Sequence, residues 1–335
     1  MKKKKTLVVG QGIAGSLVAF KLYQNNIPFV VMDPALNNSS SLVAAGMFTP
    51  ITGKRKTIDQ LTLQQIPFAI ECYRSIEMQL GKSILHLNNI YQVFDSETER
   101  KELLMKATKP EFKNYIIADP QQLSGIQPSF GAVEITNSGW VDCTTFINST
   151  RDWLKGNNAW ITGTFDYDKL SLNNGVVEYD QQVDTIIFCE GYRGMDNPFF
   201  KDAAIVPCKG DVLTLTCEGL ADTHIIKKSG IYLVRIGENT FKAGATYQWH
   251  NSSTQPDENS KNEIEIKLNS LLKNGYKVKS HLSGIRPTTH TRAVIVKQHT
   301  VYKNMFMLNG LGTKGIIQGP WWANHLVEKL ITKNE

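Results

Sequence analysis

No run in this 335-residue chain approaches the roughly eighteen consecutive apolar residues that a membrane-spanning helix needs. No segment repeats another, and no low-complexity tract interrupts the chain. Cysteine is scarce, with five residues at 72, 143, 189, 208 and 217, odd in number and without metal-ligand spacing. That pattern speaks against a zinc site and leads to an expectation of free thiols in a reducing cytoplasm, with no metal bound. His250, His281, His290 and His299 are likewise scattered without ligand spacing, and no nucleophilic triad stands out. A dominant charge is missing too. Lys and Arg number 37 against 31 Asp and Glu, and the net +6 is dispersed, which argues against a nucleic-acid partner while leaving room for an anionic substrate.

What is present describes a soluble globular protein, 41% hydrophobic and 20% charged, and long enough to favour two lobes over one core. Lys2 to Lys5 ahead of an apolar stretch imitate a signal peptide. The glycines that follow, and the polar Lys21, Gln24 and Asn25, mark them instead as a solvated tail before the first strand.

Residues 6–33, TLVVGQGIAGSLVAFKLYQNNIPFVVMD, are the most informative stretch. A short apolar strand enters a turn with Gly10, Gly12 and Gly15 at G-x-G-x-x-G spacing, followed by a helix, a second strand and Asp33, 23 positions after Gly10. Gly10 permits the tight turn, Gly12 lets a pyrophosphate approach the backbone, and Gly15 lets helix and strand pack closely. The helix N-terminus offers free N–H groups to the phosphate, and the acid can accept hydrogen bonds from ribose hydroxyls. The pattern predicts a bound dinucleotide.

Further along, apolar periodicity predicts helices over 58–80, 97–108, 142–154, 263–272 and 316–331. Strands are expected at 90–94, 184–189, 205–217 and 305–308, with a hairpin over 230–247 and a surface loop over 251–262. Pro110, Pro120 and Pro128 punctuate a section of loops and short elements. Helical and β blocks in this order favour an α/β fold: a Rossmann-like domain interleaved with a mixed, strand-rich second domain.

Five separated segments resemble the D-amino-acid oxidase, glycine oxidase and sarcosine oxidase family of flavoproteins. They are GQGIAGS with Asp33; VAAGMFTP at 43–50, which is similar to the run beside the flavin ring; DTIIFCEGYRG at 184–194; SGIRPTT at 283–289, similar to the family's G-x-R-P segment; and the closing NGLGTKGIIQGP at 309–320. They span nearly the whole chain in the family's order. The resemblance implies a glutathione-reductase-like FAD domain from residues 1–80, 141–204 and 281–335, and a substrate domain from 81–140 and 205–280. The implied cofactor contacts are Gly10, Gln11, Gly12, Ile13, Ala14, Gly15, Asp33, Pro34, Ala44, Ala45, Gly46, Met47, Gly191, Tyr192, Arg286, Gly310, Gly312, Thr313, Lys314, Gly315 and Ile316. The stretch after Arg286, HTRAVIVKQH, departs from the family by lacking its usual Asp, Pro and Gly, and it carries no Cys for flavin attachment. Noncovalent FAD is therefore expected.

The resemblance also implies the chemistry: oxidation of the CH–NH bond of a D-amino acid, glycine or N-substituted glycine, with hydride passing from Cα to flavin N5. Dioxygen or another acceptor then takes the electrons. Arg286 is the expected carboxylate clamp, because a guanidinium can hold a carboxylate through two parallel hydrogen bonds. Tyr232, and less directly Tyr247, are the expected hydroxyl partners of that carboxylate. Lys314 beside the closing helix is a candidate flavin contact, and the basic turn Lys54, Arg55 and Lys56 could draw in an anion. Two rival functions share the pattern: a flavin domain acting on a tRNA-linked glycine-like adduct, and a flavin-binding subunit without turnover.

Overall fold

The computed structural model describes residues 5–53, 55–173, 176–179, 183–220 and 224–332. The lysines at 2–4 and Lys54 lie outside them, and Lys5 already belongs to the first strand.

The first sheet has a parallel centre in the order Trp160–Thr162, Phe29–Asp33, Lys5–Val9, Val183–Phe188 and Met305–Asn309, with Ile295–Gln298 antiparallel at its edge. Alternation along the first strand explains its two buried faces. Val8 points into a cluster with Leu17, Phe20, Phe146 and Leu326 from the helices packed on one side, whereas Leu7 and Val9 join Phe165, Phe188 and Met307 on the other. The helices Ile13–Gln24, Gln60–Leu80, Cys143–Gly156 and Gly315–Ile331 supply the first of these layers. Pro320 stands inside the last helix and cannot donate to the carbonyl four residues back; the buried Tyr73 hydroxyl donates to that carbonyl, Ile316 O, at 3.0 Å.

The second sheet is nine-stranded and mixed. Ile205–Cys217 pairs along its length with Tyr276–Thr289 on one edge and with Thr240–Gly244 on the other. Ile231–Gly237, Ile225–Lys228, Ile90–Val93, Ala132–Ile135 and Ile116–Gln121 continue the order. Among the described residues, only the contact between Ile225–Lys228 and Ile90–Val93 is parallel within it. One face packs Leu213, Leu233, Phe241 and Ala243 against Ile264, Leu268 and Leu271 of the Glu258–Leu271 helix. The other face turns toward the first domain. Being covered on both sides, the 205–217 strand is buried along nearly its whole length rather than alternating with solvent.

Three expectations shift. The last-but-one helix begins at Glu258, capped by the Asp257 carboxylate, because its polar first turn carries no apolar period and reads as loop in sequence. Pro120 lies within Ile116–Gln121, where the missing N–H is tolerated because the strand forms the sheet's edge. Tyr247 is not on the return strand, which ends at Gly244, but in the exposed connection to Gln248–Trp249.

Candidate functional site: a dinucleotide cradle facing an arginine clamp

The three glycines of the first turn have different jobs. A Cβ on Gly10, whose φ is +97°, would lie 2.5 Å from Cys189 O, and one on Gly15 would lie 1.8 Å from Gly10 O. Both are packing requirements. Gly12 caps the Ile13–Gln24 helix without a side-chain hydrogen bond, has an ordinary φ of −88°, and a Cβ there would meet only Ser41 at 3.0 Å. Ser41 Oγ accepts the Ile13 N–H at 3.0 Å, and no acid occupies the helix's first turn. At the end of the second strand the Asp33 carboxylate accepts the Gln11 N–H at 2.7 Å and the Ala35 N–H at 2.6 Å, around the half-buried Pro34. A carboxylate has about four acceptor positions, so room remains for hydroxyl donors. Gln11's side chain turns inward, donating to Ser16 and Ile147 O and accepting from Arg151.

The other glycine-rich loop closes on the same place. Gly310 and Gly312 have φ of +73° and +52°, and the Gly312 N–H donates to Pro287 O at 2.9 Å. Asn309 Nδ2 donates to Gly191 O at 2.9 Å, tying the loop to the turn that carries the half-buried Tyr192. The helix after it begins at Gly315 and Ile316, with half-buried Lys314 as its cap residue, exposed Thr313 before it, and neither a side-chain cap nor an acid in its first turn. A Cβ on Gly315 would sit 3.8 Å from Ile13, and one on Gly319 would sit 2.6 Å from Leu17. The two helices therefore start side by side. Two N-termini with no acid in their first turns carry partial positive charge to one end of the sheet, beside the Gly12 cradle and Asp33, and that donor set fits an anionic dinucleotide such as FAD.

Between this cradle and the large sheet runs the segment 44–47. Gly46 has φ +72°, a Cβ on it would lie 1.9 Å from Val141 O, and its carbonyl accepts the Val141 N–H at 3.1 Å. Met47 opens the short strand paired with Gly139–Val141. From the large sheet, Lys242 Nζ donates to Leu42 O at 3.3 Å and Ala44 O at 3.0 Å, and burial lowers its pKa. Ala45 is buried among Ile90, Trp140 and Val234. Lys242→Met should leave both carbonyls without that partner and lower stability by about 1–3 kcal/mol. Thermal melting of the variant, with and without added FAD, measures it.

The sheet face turned toward that segment carries Arg286 and Tyr232. Gly284, Gly210 and Gly244 lie on adjacent strands, on one face, because Gly284 pairs with Gly210, and Gly244 pairs with Val212 two residues along. A Cβ on Gly284 would meet Ser40 Cα at 2.9 Å, so the face abuts the Ser40–Val43 helix. A Cβ on Gly210 would lie 2.2 Å from both terminal nitrogens of Arg286, which means that the guanidinium lies flat across this glycine. Its Nη1 donates to Thr246 O at 3.2 Å, and the Tyr247 ring stacks 4.7 Å from the guanidinium carbon. Tyr232 leans over Gly244, with its hydroxyl 3.3 Å from where a Cβ would be. Burial raises the Tyr232 pKa, partly offset by Arg286, so the phenol stays a neutral donor. Gly210→Ala should displace the guanidinium while the strand stays folded, since the neighbour that must move is a flexible side-chain end. We expect kcat/KM for a carboxylate substrate to fall about ten- to a hundredfold, the loss of one charge-assisted hydrogen bond. Steady-state kinetics of the variant beside its melting curve check this.

Residues 5–329 match the family described as DAO, FAD dependent oxidoreductase. The chain belongs to this family. As a member of the DAO family it also shares its fold with solved structures. Glycine oxidase from Bacillus cereus superposes with a TM-score of 0.81 at 18% identity, covering 99% of this chain and 96% of the other. Iminodiacetate oxidase from Chelativorans sp. gives 0.79 at 15% identity, covering 98% and 95%. Among curated proteins, the tRNA 5-methylaminomethyl-2-thiouridine biosynthesis bifunctional protein MnmC of Marinobacter nauticus is 20% identical over 97% of this chain and 55% of its own length. The chain thus spans about half the length of that relative.

The DAO-family chain therefore brings Gly12, Ile13, Asp33, Gly191 and Lys314–Ile316 to one end of the parallel sheet, and Arg286, Tyr232 and Tyr247 to the facing sheet surface. Sequence reasoning missed Gly210, Ser41 and Lys242. A glycine in the middle of an unbroken strand signals a close approach by another group, so Gly210 was the findable one. Ser41 and Lys242 carry no such local mark.

Proposed function

We propose that this FAD-dependent oxidoreductase oxidises the CH–NH bond of an amine that carries a carboxylate, a D-amino acid, glycine or N-substituted glycine. The observation that supports the reading is the guanidinium of Arg286, laid flat over Gly210 between Tyr232 and Tyr247, on the face turned toward the 44–47 segment. An arginine so placed can hold a carboxylate bidentately and fix which way the substrate lies. Neutral Tyr232 donates to the same carboxylate, and the covering segment keeps water from the reacting carbon. When bound, FAD supplies the redox chemistry as hydride acceptor.

The cofactor is held noncovalently in this reading. Cys143, whose thiol lies against Gly46, is buried with its pKa pushed up to about 12, so it remains a protonated, unreactive thiol. The likeness to the tRNA-modification protein supports a second reading, in which the amine is carried on a tRNA. Anaerobic titration of the purified flavoprotein with D-amino acids, glycine and sarcosine, and separately with a tRNA that carries a glycine-like amine, separates the two. Bleaching of the flavin bands by a free amine establishes the first reading; bleaching only by an amine attached to tRNA establishes the second.

A further inference from the structure

Lys227 is directly cross-strand from Tyr232, with Gln92 on its other side, so all three share the face that carries the clamp. Its neighbour Lys228 points to the opposite face and pairs with Asp95 at 3.5 Å. Lys227 is half-buried, and among the described residues no carboxylate pairs with it. Its charged neighbour is another cation, Lys56, from the basic turn after the flavin-side segment. Lys56 is itself paired with Glu99, and the Lys106 ammonium binds the carbonyls of Arg55 and Lys56. Burial and Lys56 both lower the Lys227 pKa, the direction expected of an ammonium that lacks a counter-charge.

A desolvated cation without a partner is unfavourable unless something brings an anion to it. The Tyr232 hydroxyl leans toward Gly244, on the side away from Lys227, and leaves the lysine facing the same surface. The Arg286 guanidinium lies over Gly210, three strands from Lys227 and two residues along, so strand spacing of about 4.8 Å and a rise of about 3.3 Å per residue put the Lys227 backbone roughly 16 Å from it. An extended lysine and a substrate longer than glycine can close that distance. We propose that Lys227 binds a second carboxylate of the substrate, so that the site selects amino-acid-like amines bearing two carboxylates, one at Arg286 and one at Lys227. This rests on the assignment of Arg286 as carboxylate clamp.

The test compares ligands that differ by one carboxylate on the FAD-loaded protein. Perturbation of the flavin spectrum reads binding of succinate against propionate; reductive bleaching compares iminodiacetate with sarcosine and D-aspartate with D-alanine. The dicarboxylate should be favoured about ten- to a hundredfold in at least one pair, the value of a charge-assisted hydrogen bond. In Lys227→Met that ratio should collapse toward one, and Lys227→Arg, which keeps the charge, should retain most of it. An unchanged ratio in Lys227→Met overturns the proposal. So does a ratio near one in the unaltered protein, which means that the ammonium simply reaches solvent; oxidation of sarcosine or D-alanine would then leave the Arg286 reading standing. If neither mono- nor dicarboxylates perturb or bleach the flavin, both fall.

Discussion

Replacing Arg286 by methionine should lower kcat/KM for a carboxylate-bearing amine by roughly a hundred- to ten-thousandfold, because two charge-assisted hydrogen bonds of about 1.5–3 kcal/mol each would be lost. The fold should survive. Among the described residues the guanidinium donates to Thr246 O at 3.2 Å, stacks on Tyr247 and interacts with the Cys208 side chain, and methionine fills much of the same volume over Gly210. Flavin content and melting temperature should therefore stay near those of the unaltered protein. Arg286→Lys restores the charge without the planar fork, so it should recover only part of the loss, mainly as affinity. Turnover within about threefold of normal in Arg286→Met, well below the value of a single such bond, would remove the clamp from the mechanism. The decisive measurement is kcat/KM for the amine that bleaches the flavin, set beside flavin content.

Gly15→Ala and Gly12→Ala should fail in different ways, although both alter the same turn. At Gly15 the added methyl would lie 1.8 Å from Gly10 O and 3.4 Å from Cys189 Cβ, contacts that only a backbone shift can relieve. Overpacking of this kind costs about 3 kcal/mol or more, and the expected result is a protein that melts far lower or is recovered insoluble. At Gly12 the backbone already has a φ open to alanine and the methyl meets only a serine hydroxyl. That variant should melt normally without cofactor and bind FAD at least about tenfold more weakly, because the methyl occupies the surface over which the phosphate would pass. Melting curves and flavin titrations on the two proteins distinguish these outcomes. A Gly12→Ala protein with normal FAD affinity would mean that the phosphate lies elsewhere.

Much of the cofactor end was legible because its constraints are local. The turn, the helix start and the acid fall within residues 6–33, and each demand there acts on a backbone conformation or a short hydrogen bond, such as Gln11 N–H to Asp33 at 2.7 Å. The helix expected over 58–80 was legible for the same reason, although it starts at Gln60 because Ile58 pairs with Ile51 in a short strand: Asp59 caps it and Gly81, with φ of +62°, ends it. The Glu258 start was missed because Glu258 to Lys261 show no apolar face, and the cap at Asp257 is marked only by its own side chain. Tyr247 was placed on a strand because the alternation through Thr240–Gly244 continues in sequence after the pairing has stopped.

The sequence alone determined the parallel α/β framework, the dinucleotide turn and the order of the segments that meet there, since glycine conformation, capping and periodicity act over a few residues. The face that carries Arg286 was decided by tertiary structure. Gly210, Tyr232, Lys227, Gly244 and Arg286 come together only through the register of five strands, in which Gly210 faces Gly284 and Tyr232 lies between Lys227 and Gly244. A slip of one residue in any of those pairings would send the side chain to the opposite face, against the Glu258–Leu271 helix. Nothing within a single strand records which residue of another strand it will face.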